Sequence, residues 1–298
     1  MKELRLYLNG RIVAEREALI SPFDRGFLWG DGVYEITPCF DGRLYRLKDH
    51  LDRLSRSLRY VRIDPGMAIS RLEEITLDLL EQNLPDLESG SVYRVGHWIT
   101  RGMEAESGRA CDAGPATILI YFRKANLEAL ARVVREGVRL TIVPTRRVPP
   151  QCLETRAKVT SKMNQILAEL DADASERVSL MLDVEGNVAE NATANFFLVR
   201  DDKLWTPPAR NVLEGITRKS VFEIAERLGI ACRETTMTRY DLAQAQEWFL
   251  SSSLSCAVPV REVDGLSPLG PVPGPVTRRI MNAFVEETGF DFFRMPNR

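Results

Sequence analysis

From Leu4 to Val13 apolar and polar side chains alternate around Asn9-Gly10, which is the period of a strand broken by a dipeptide that favours a two-residue hairpin turn. The chain is therefore expected to open on an antiparallel sheet. After the glycine-rich block Arg25 to Glu35, a strand through Cys39 and a second turn at Asp41-Gly42 lead into Leu47, Leu51, Leu54 and Leu58. That spacing predicts a helix with one buried face. A second helix is expected over about Ala68 to Gln82, and strands over about Val92 to Thr100 and Thr117 to Arg123, with a loop of polar and small residues from Gly102 to Gly114 between those strands. The first half reads as α+β.

Lys124 to Glu136 is charged and reads as a connector. Beyond it, the β-branched run Val138 to Thr145 predicts a strand and Met163 to Ala172 a helix. Strands follow at Val178 to Val184 and Asn195 to Val199, a helix at Lys219 to Leu228, a strand at Trp248 to Ser252 and a last helix near Thr277 to Glu287. The second half reads as mixed α/β. The expected division is 1–123, a connector at 124–136, and 137–298, in keeping with the usual prior of about 100 to 200 residues per domain. No internal repeat is visible, and only Ser267 to Pro275 is compositionally biased.

Composition narrows the function classes more than it names one. With 40 basic and 42 acidic side chains the net charge is −2, which advertises neither a nucleic-acid nor a membrane partner. Five cysteines without a Cys-x-x-Cys pair suggest a reducing, cytoplasmic setting rather than a disulfide framework or a zinc site. The start Met1 to Leu6 does not read as a signal peptide, and no apolar run approaches the ~20 residues that span a bilayer. Two histidines, His50 and His97, cannot make a three-histidine metal site. Hard chemistry would have to come from a cofactor or a lysine.

Leu213 to Arg218, preceded by Thr206-Pro-Pro208 and followed by a helical pattern, is a candidate anion cradle, because a turn that leads into a helix N-terminus offers backbone N–H groups to a phosphate. Lys158, in a polar segment ahead of a helix, is a candidate Schiff-base former, with Lys162 its local competitor. Glu190, in the turn-rich stretch Glu185 to Phe197, could pair with a ring nitrogen, move a proton, or simply face water. Asn195 could cap a turn. Arg53 could meet a phosphate or lay its stem along the leucine stripe, and His50 reads as a packed or capping residue. Gly30-Asp-Gly32 lacks the spacing of a dinucleotide fingerprint, and the chain has no Walker A loop. Ser251 to Ser253 could donate hydroxyls to a phosphate or form a turn.

The order of these segments supplies what each lacks alone. Asp24 to Glu35, His50 to Leu54, Lys158, Glu190 to Phe197, Leu213 to Arg218, Ser253 to Val260 and Gly274 to Thr277 together resemble the class IV, or fold type IV, pyridoxal-phosphate aminotransferases, which include branched-chain and D-amino-acid aminotransferases and aminodeoxychorismate lyase. The resemblance runs from about residue 5 to 285. It implies an N-terminal α+β sandwich, a C-terminal α/β pseudo-barrel carrying the lysine, the cofactor between them, and a homodimer whose active site borrows a partner loop. By the same resemblance Lys158 forms the internal aldimine with pyridoxal phosphate and shuttles the proton. Glu190 holds the pyridine nitrogen protonated, and Asn195 stands beside the cofactor. Arg53, the amides of Ile216 and Thr217, and the Ser253 hydroxyl bind the phosphate, while Tyr34 and Leu254 lie on the substrate side.

Departures from the family pattern limit what can be said of the substrate. Branched-chain enzymes resemble one another in an Asn-Tyr pair after the lysine, where this chain has Lys162-Met163, and in Tyr-x-Arg-Pro, where it has Val92-Tyr-Arg-Val95. D-amino-acid enzymes resemble one another in an Arg-x-His carboxylate trap, where it has Arg109-Ala-Cys111. Arg94, Arg101 or Arg109 remain as carboxylate partners. The resemblance implies ping-pong transamination between a D-amino acid or branched-chain L-amino acid and a 2-oxo acid. The alternative is aminodeoxychorismate lyase chemistry on the same fold, against which Tyr34-Glu35 weighs.

Overall fold

A computed structural model describes residues 3–172 and 177–292, so the outermost residues of both expected domains lie outside it. Two compact units emerge, residues 1–125 with 157–162, and residues 126–156 with 163–298. No helix among the described residues is long and apolar enough to cross a membrane.

In the first unit β1 (Arg5–Leu8) and β2 (Arg11–Ala14) form the expected hairpin. Asn9 and Gly10 have φ of 48° and 89°, the two left-handed residues that such a turn needs. Helix α1 (Arg25–Trp29) lies in the glycine-rich block, where no helix is legible. It is capped by Asp24, whose Oδ1 accepts from Gly26 N at 2.7 Å, and it stops at Gly30 with φ 62°. There follow β3 (Gly32–Phe40), β4 (Arg43–Leu44), α2 (Leu47–Val61), α3 (Ile69–Asn83), β5 (Val92–Thr100) and β6 (Thr117–Lys124). The strands make one antiparallel sheet in the order β2-β1-β6-β5-β3-β4. One face carries Val33, Val95, Ile99, Ile118 and Ile120 against Leu51, Leu54 and Leu58 of α2 and Leu72, Ile75 and Leu79 of α3. Alternation along the strands sends Tyr34 and its neighbour Trp98 to the opposite face.

The second unit contains α4 (Leu127–Glu136), β7 (Val138–Ile142), α5 (Met163–Asp171), β8 (Val178–Leu180), β9 (Asn195–Arg200), β10 (Lys203–Thr206), α6 (Ile216–Arg227), β11 (Cys232–Glu234), α7 (Arg239–Ala243), β12 (Glu247–Ser252), β13 (Cys256–Val263) and α8 (Pro275–Thr288). Its sheet is mixed, in the order β11-β10-β9-β12-β13-β7-β8, with β10/β11, β13/β7 and β7/β8 parallel. A hairpin continues from β8, where Met181 N donates to Glu190 O at 3.0 Å, and Glu190 then bridges Asn195 of β9. The strands from β9 to β8 thereby close on themselves, as a pseudo-barrel must.

The expected domain boundary is corrected in two places. The connector is largely a helix of the second unit, because Asn126 caps α4 through Ala129 N at 3.0 Å and Ala131 and Val134 are buried. Residues 157–162 cluster with the first unit, not the second, because Thr160 N donates to Gly32 O at 2.9 Å and Tyr34 N to Lys158 O at 3.0 Å, which adds this segment to β3.

Candidate active site

Lys158 is held by its backbone before its side chain does anything. Val159 bridges Val33 in antiparallel register, and Lys158 N donates to Ser57 Oγ of α2 at 3.0 Å. The Thr160 hydroxyl donates to Gly30 O at 2.6 Å. Gly32 permits this approach, since a Cβ there would lie 2.8 Å from Ile99 O and 3.2 Å from Thr160 Oγ1. The Lys158 ammonium stands 4.6 Å from the centroid of the Tyr34 ring, within cation–π range. Tyr34 in turn stacks on Trp98 with centroids 4.6 Å apart, and Trp98 Nε1 donates to the Tyr121 hydroxyl at 3.2 Å. The lysine therefore lies against an aromatic wall that spans β3, β5 and β6.

In the second unit Glu190 does not face water. It is 6% exposed, a burial that a carboxylate tolerates only with partners. Oε1 accepts from Arg147 Nε at 2.7 Å, and Oε2 accepts from Asn195 Nδ2 at 3.1 Å and from Leu213 N at 3.0 Å. Asn195 Nδ2 also donates to Leu213 O at 2.9 Å. One carboxylate and one amide thus tie the start of the cradle to the hairpin. The cradle becomes the N-terminus of α6, with Gly215 as N-cap and Ile216 and Thr217 buried in the first turn. A Cβ on Gly215 would sit 2.1 Å from Asn195 Oδ1, so only glycine fits there.

Gly215 has no side chain to offer the first amides of α6. The N-terminus of α8 shows the contrast: Glu247 fills it, accepting from Val276 N at 2.9 Å and Thr277 N at 2.7 Å. Gly274 to Thr277 is therefore a capped helix start, whereas the N-cap of α6 offers no side chain to the Ile216 and Thr217 amides, an arrangement that suits an anion. Ser253 and Leu254 occupy the half-buried turn between β12 and β13.

The three candidate carboxylate arginines differ sharply. Arg101 is committed to structure, donating through Nε and Nη2 to Asp31 at 2.8 and 3.0 Å and to the carbonyls of Arg62 and Val61, each at 2.8 Å. Arg94 is exposed on β5. Arg109 is exposed on the 101–116 loop, where it pairs with Asp112 at 2.8 Å.

Arg147 and Glu35 are not legible as partners in the sequence. Arg147 meets Glu190 across 43 residues, and nothing local marks it. Glu35 does carry a signal, since strand alternation opposite Tyr34 sends it inward, where it binds Arg53 and His50.

Residues 32–263 match the amino-transferase class IV family. Over 94% of its length the chain is 31% identical to a protein of Methanocaldococcus jannaschii named, provisionally, a branched-chain-amino-acid aminotransferase, of which it covers 95%. It is 28% identical to the D-alanine aminotransferase of Listeria innocua over 95% of this chain and 96% of that one. The branched-chain aminotransferase of the thermophilic archaeon Thermoproteus uzoniensis, solved with norvaline, superposes with a TM-score of 0.86 at 27% identity, covering 97% of this chain and 96% of that one. Fold, matched span and named relatives agree, and the chain belongs to the class IV aminotransferases.

Proposed function

We propose that this aminotransferase is pyridoxal-phosphate dependent and exchanges an amino group between a D-amino acid or a branched-chain L-amino acid and a 2-oxo acid in two half-reactions. The observation that carries the cofactor assignment is the buried Glu190 carboxylate, backed by Arg147 and fastened to an uncapped helix N-terminus. An acid beside a phosphate cradle suits a pyridinium ring bearing a phosphate, and the residues present fit that group. When bound, pyridoxal phosphate supplies an electron sink for the pair left behind as the substrate Cα proton departs.

The chain's own residues supply the rest. Lys158 would hold the cofactor through its amine and would move the proton at the substrate Cα. Glu190 would accept a hydrogen bond from the ring nitrogen, with Asn195 fixing the carboxylate. Arg53, the amides of Ile216 and Thr217, and the Ser253 hydroxyl hold the phosphate. Tyr34 and Leu254 border the substrate, and Arg94 or Arg109 receives its carboxylate.

A homodimer is part of the same proposal. Met163, Ile166, Leu167 and Leu170 form an exposed apolar stripe on α5, and Phe23, Phe27 and Trp29 are exposed in the first unit. Exposed apolar side chains of this kind suit an interface.

A half-reaction screen tests the substrate class. Purified holoenzyme is mixed with paired D- and L-amino acids, and conversion of the cofactor to its amine form is followed by absorbance. D-alanine or a branched-chain L-amino acid should convert the cofactor stoichiometrically and release the matching 2-oxo acid. Conversion by neither group would reject the proposed donors.

A further inference from the structure

Tyr34 and Glu35 leave opposite faces of β3, and only Tyr34 reaches the lysine. Glu35 lies fully buried, on the face of β3 that carries Val33. Its Oε1 accepts from Arg53 Nε at 2.6 Å, and its Oε2 accepts from Arg53 Nη2 at 2.8 Å and from His50 Nδ1 at 2.8 Å. Burial would raise this carboxyl's pKa, but the Arg53 guanidinium and the His50 N–H hold it well below the usual range. Burial also keeps His50 below its ordinary value, and because a carboxylate only accepts, Nδ1–H is the donor.

A buried ion pair adds little net stability over apolar side chains of the same volume. Folding alone therefore gives no reason for charges at this position. What the pair does secure is direction, because a two-point grip on one edge of a planar guanidinium fixes the plane and the χ angles behind it. Helix α2 links that orientation to the lysine. Ser57, one turn beyond Arg53, accepts from Lys158 N at 3.0 Å. Arg53 and Lys158 are thus positioned by the same helix.

We propose that Glu35 is a positioning residue for the cofactor phosphate: it holds Arg53 in the orientation in which the guanidinium meets that phosphate, and His50 braces the carboxylate. This deepens the cofactor reading above and rests on it. Glu35 touches neither substrate nor cofactor.

The test compares pyridoxal phosphate with pyridoxal, the same ring without its phosphate, on the full-length chain after removal of cofactor. Dissociation constants are measured for the wild type, Glu35→Gln, Glu35→Asp and Arg53→Leu. Each Glu35 variant should weaken pyridoxal phosphate roughly tenfold or more while leaving pyridoxal within about twofold, since one charge-assisted contact is lost. Glu35→Gln combined with Arg53→Leu should be no worse than Arg53→Leu alone. Should Glu35→Gln fail to fold, Glu35→Asp, which keeps the charge but shortens the arm, carries the test.

If Arg53→Leu weakens pyridoxal phosphate selectively and both Glu35 variants do not, the pair is structural and the proposal is overturned. Failure of the cofactor reading looks different: the wild type would not prefer pyridoxal phosphate, or Arg53→Leu would leave that preference intact.

Discussion

Removing the Arg147 guanidinium would strand the Glu190 carboxylate in a site where it is 6% exposed. Arg147→Ala should therefore lower unfolding stability by about 3 kcal/mol, the usual scale for breaking one side of a buried pair. Urea unfolding checks this, and a loss below about 0.5 kcal/mol, the scale of a surface pair, would contradict it. His97 gives a pH-dependent counterpart. The Thr76 hydroxyl donates to Leu72 O at 2.6 Å, so His97 Nε2–H is the donor in its 2.8 Å contact with that hydroxyl. Burial pushes the His97 pKa down to about 4 from an ordinary 6.5. Protons then favour the unfolded chain between those values. The contribution of His97 is whole above the unfolded value and is lost as pH falls toward 4, by about 3 kcal/mol at most. His97→Gln should flatten stability against pH in that window, and an unchanged slope would count against the assignment. Lys158 and Glu190 can be proposed from the sequence because ordered motifs flank them. Arg147 is one of 40 basic residues with no local mark.

Short-range chemistry sets which elements are legible. The Asn9-Gly10 hairpin and the leucine stripe of α2 follow from turn residues and period. Strand β13 does not, because Cys256 to Val260 is buried without alternation and contains Pro259, which ordinarily argues against a central strand. It nevertheless lies between β12 and β7, with a register shift between Val260 and Glu262. The turn before β10 is hidden for a similar reason, since Asp201 and Asp202 take φ of 51° and 56° without a glycine. In α4 the charged side chains obscure the N-cap and the small apolar face. The cradle makes a prediction at this scale. Gly215→Ala places a Cβ 2.1 Å from Asn195 Oδ1, so it should cost about 1 to 3 kcal/mol by overpacking. Cofactor should also dissociate faster, because Asn195 would be pushed off Glu190. Melting temperature and dialysis retention together check this, and wild-type values in both would refute it.

For the whole molecule, the two units divide the chain differently from the expected 1–123 and 137–298 at one segment. Residues 157–162 belong with β3, since their backbone partners are Gly32 and Tyr34. Spacing along the chain cannot show that pairing. Assembly is tested through α5, where Leu170 is 73% exposed. Leu170→Glu should shift sedimentation from dimer toward monomer, and a wild type that sediments as a monomer would reject the dimer. The central claim is that Lys158 binds the cofactor. Borohydride reduction of the holoenzyme followed by peptide mass spectrometry should find the pyridoxyl phosphate adduct on Lys158. An adduct on Lys162, or none on either lysine, would contradict the account.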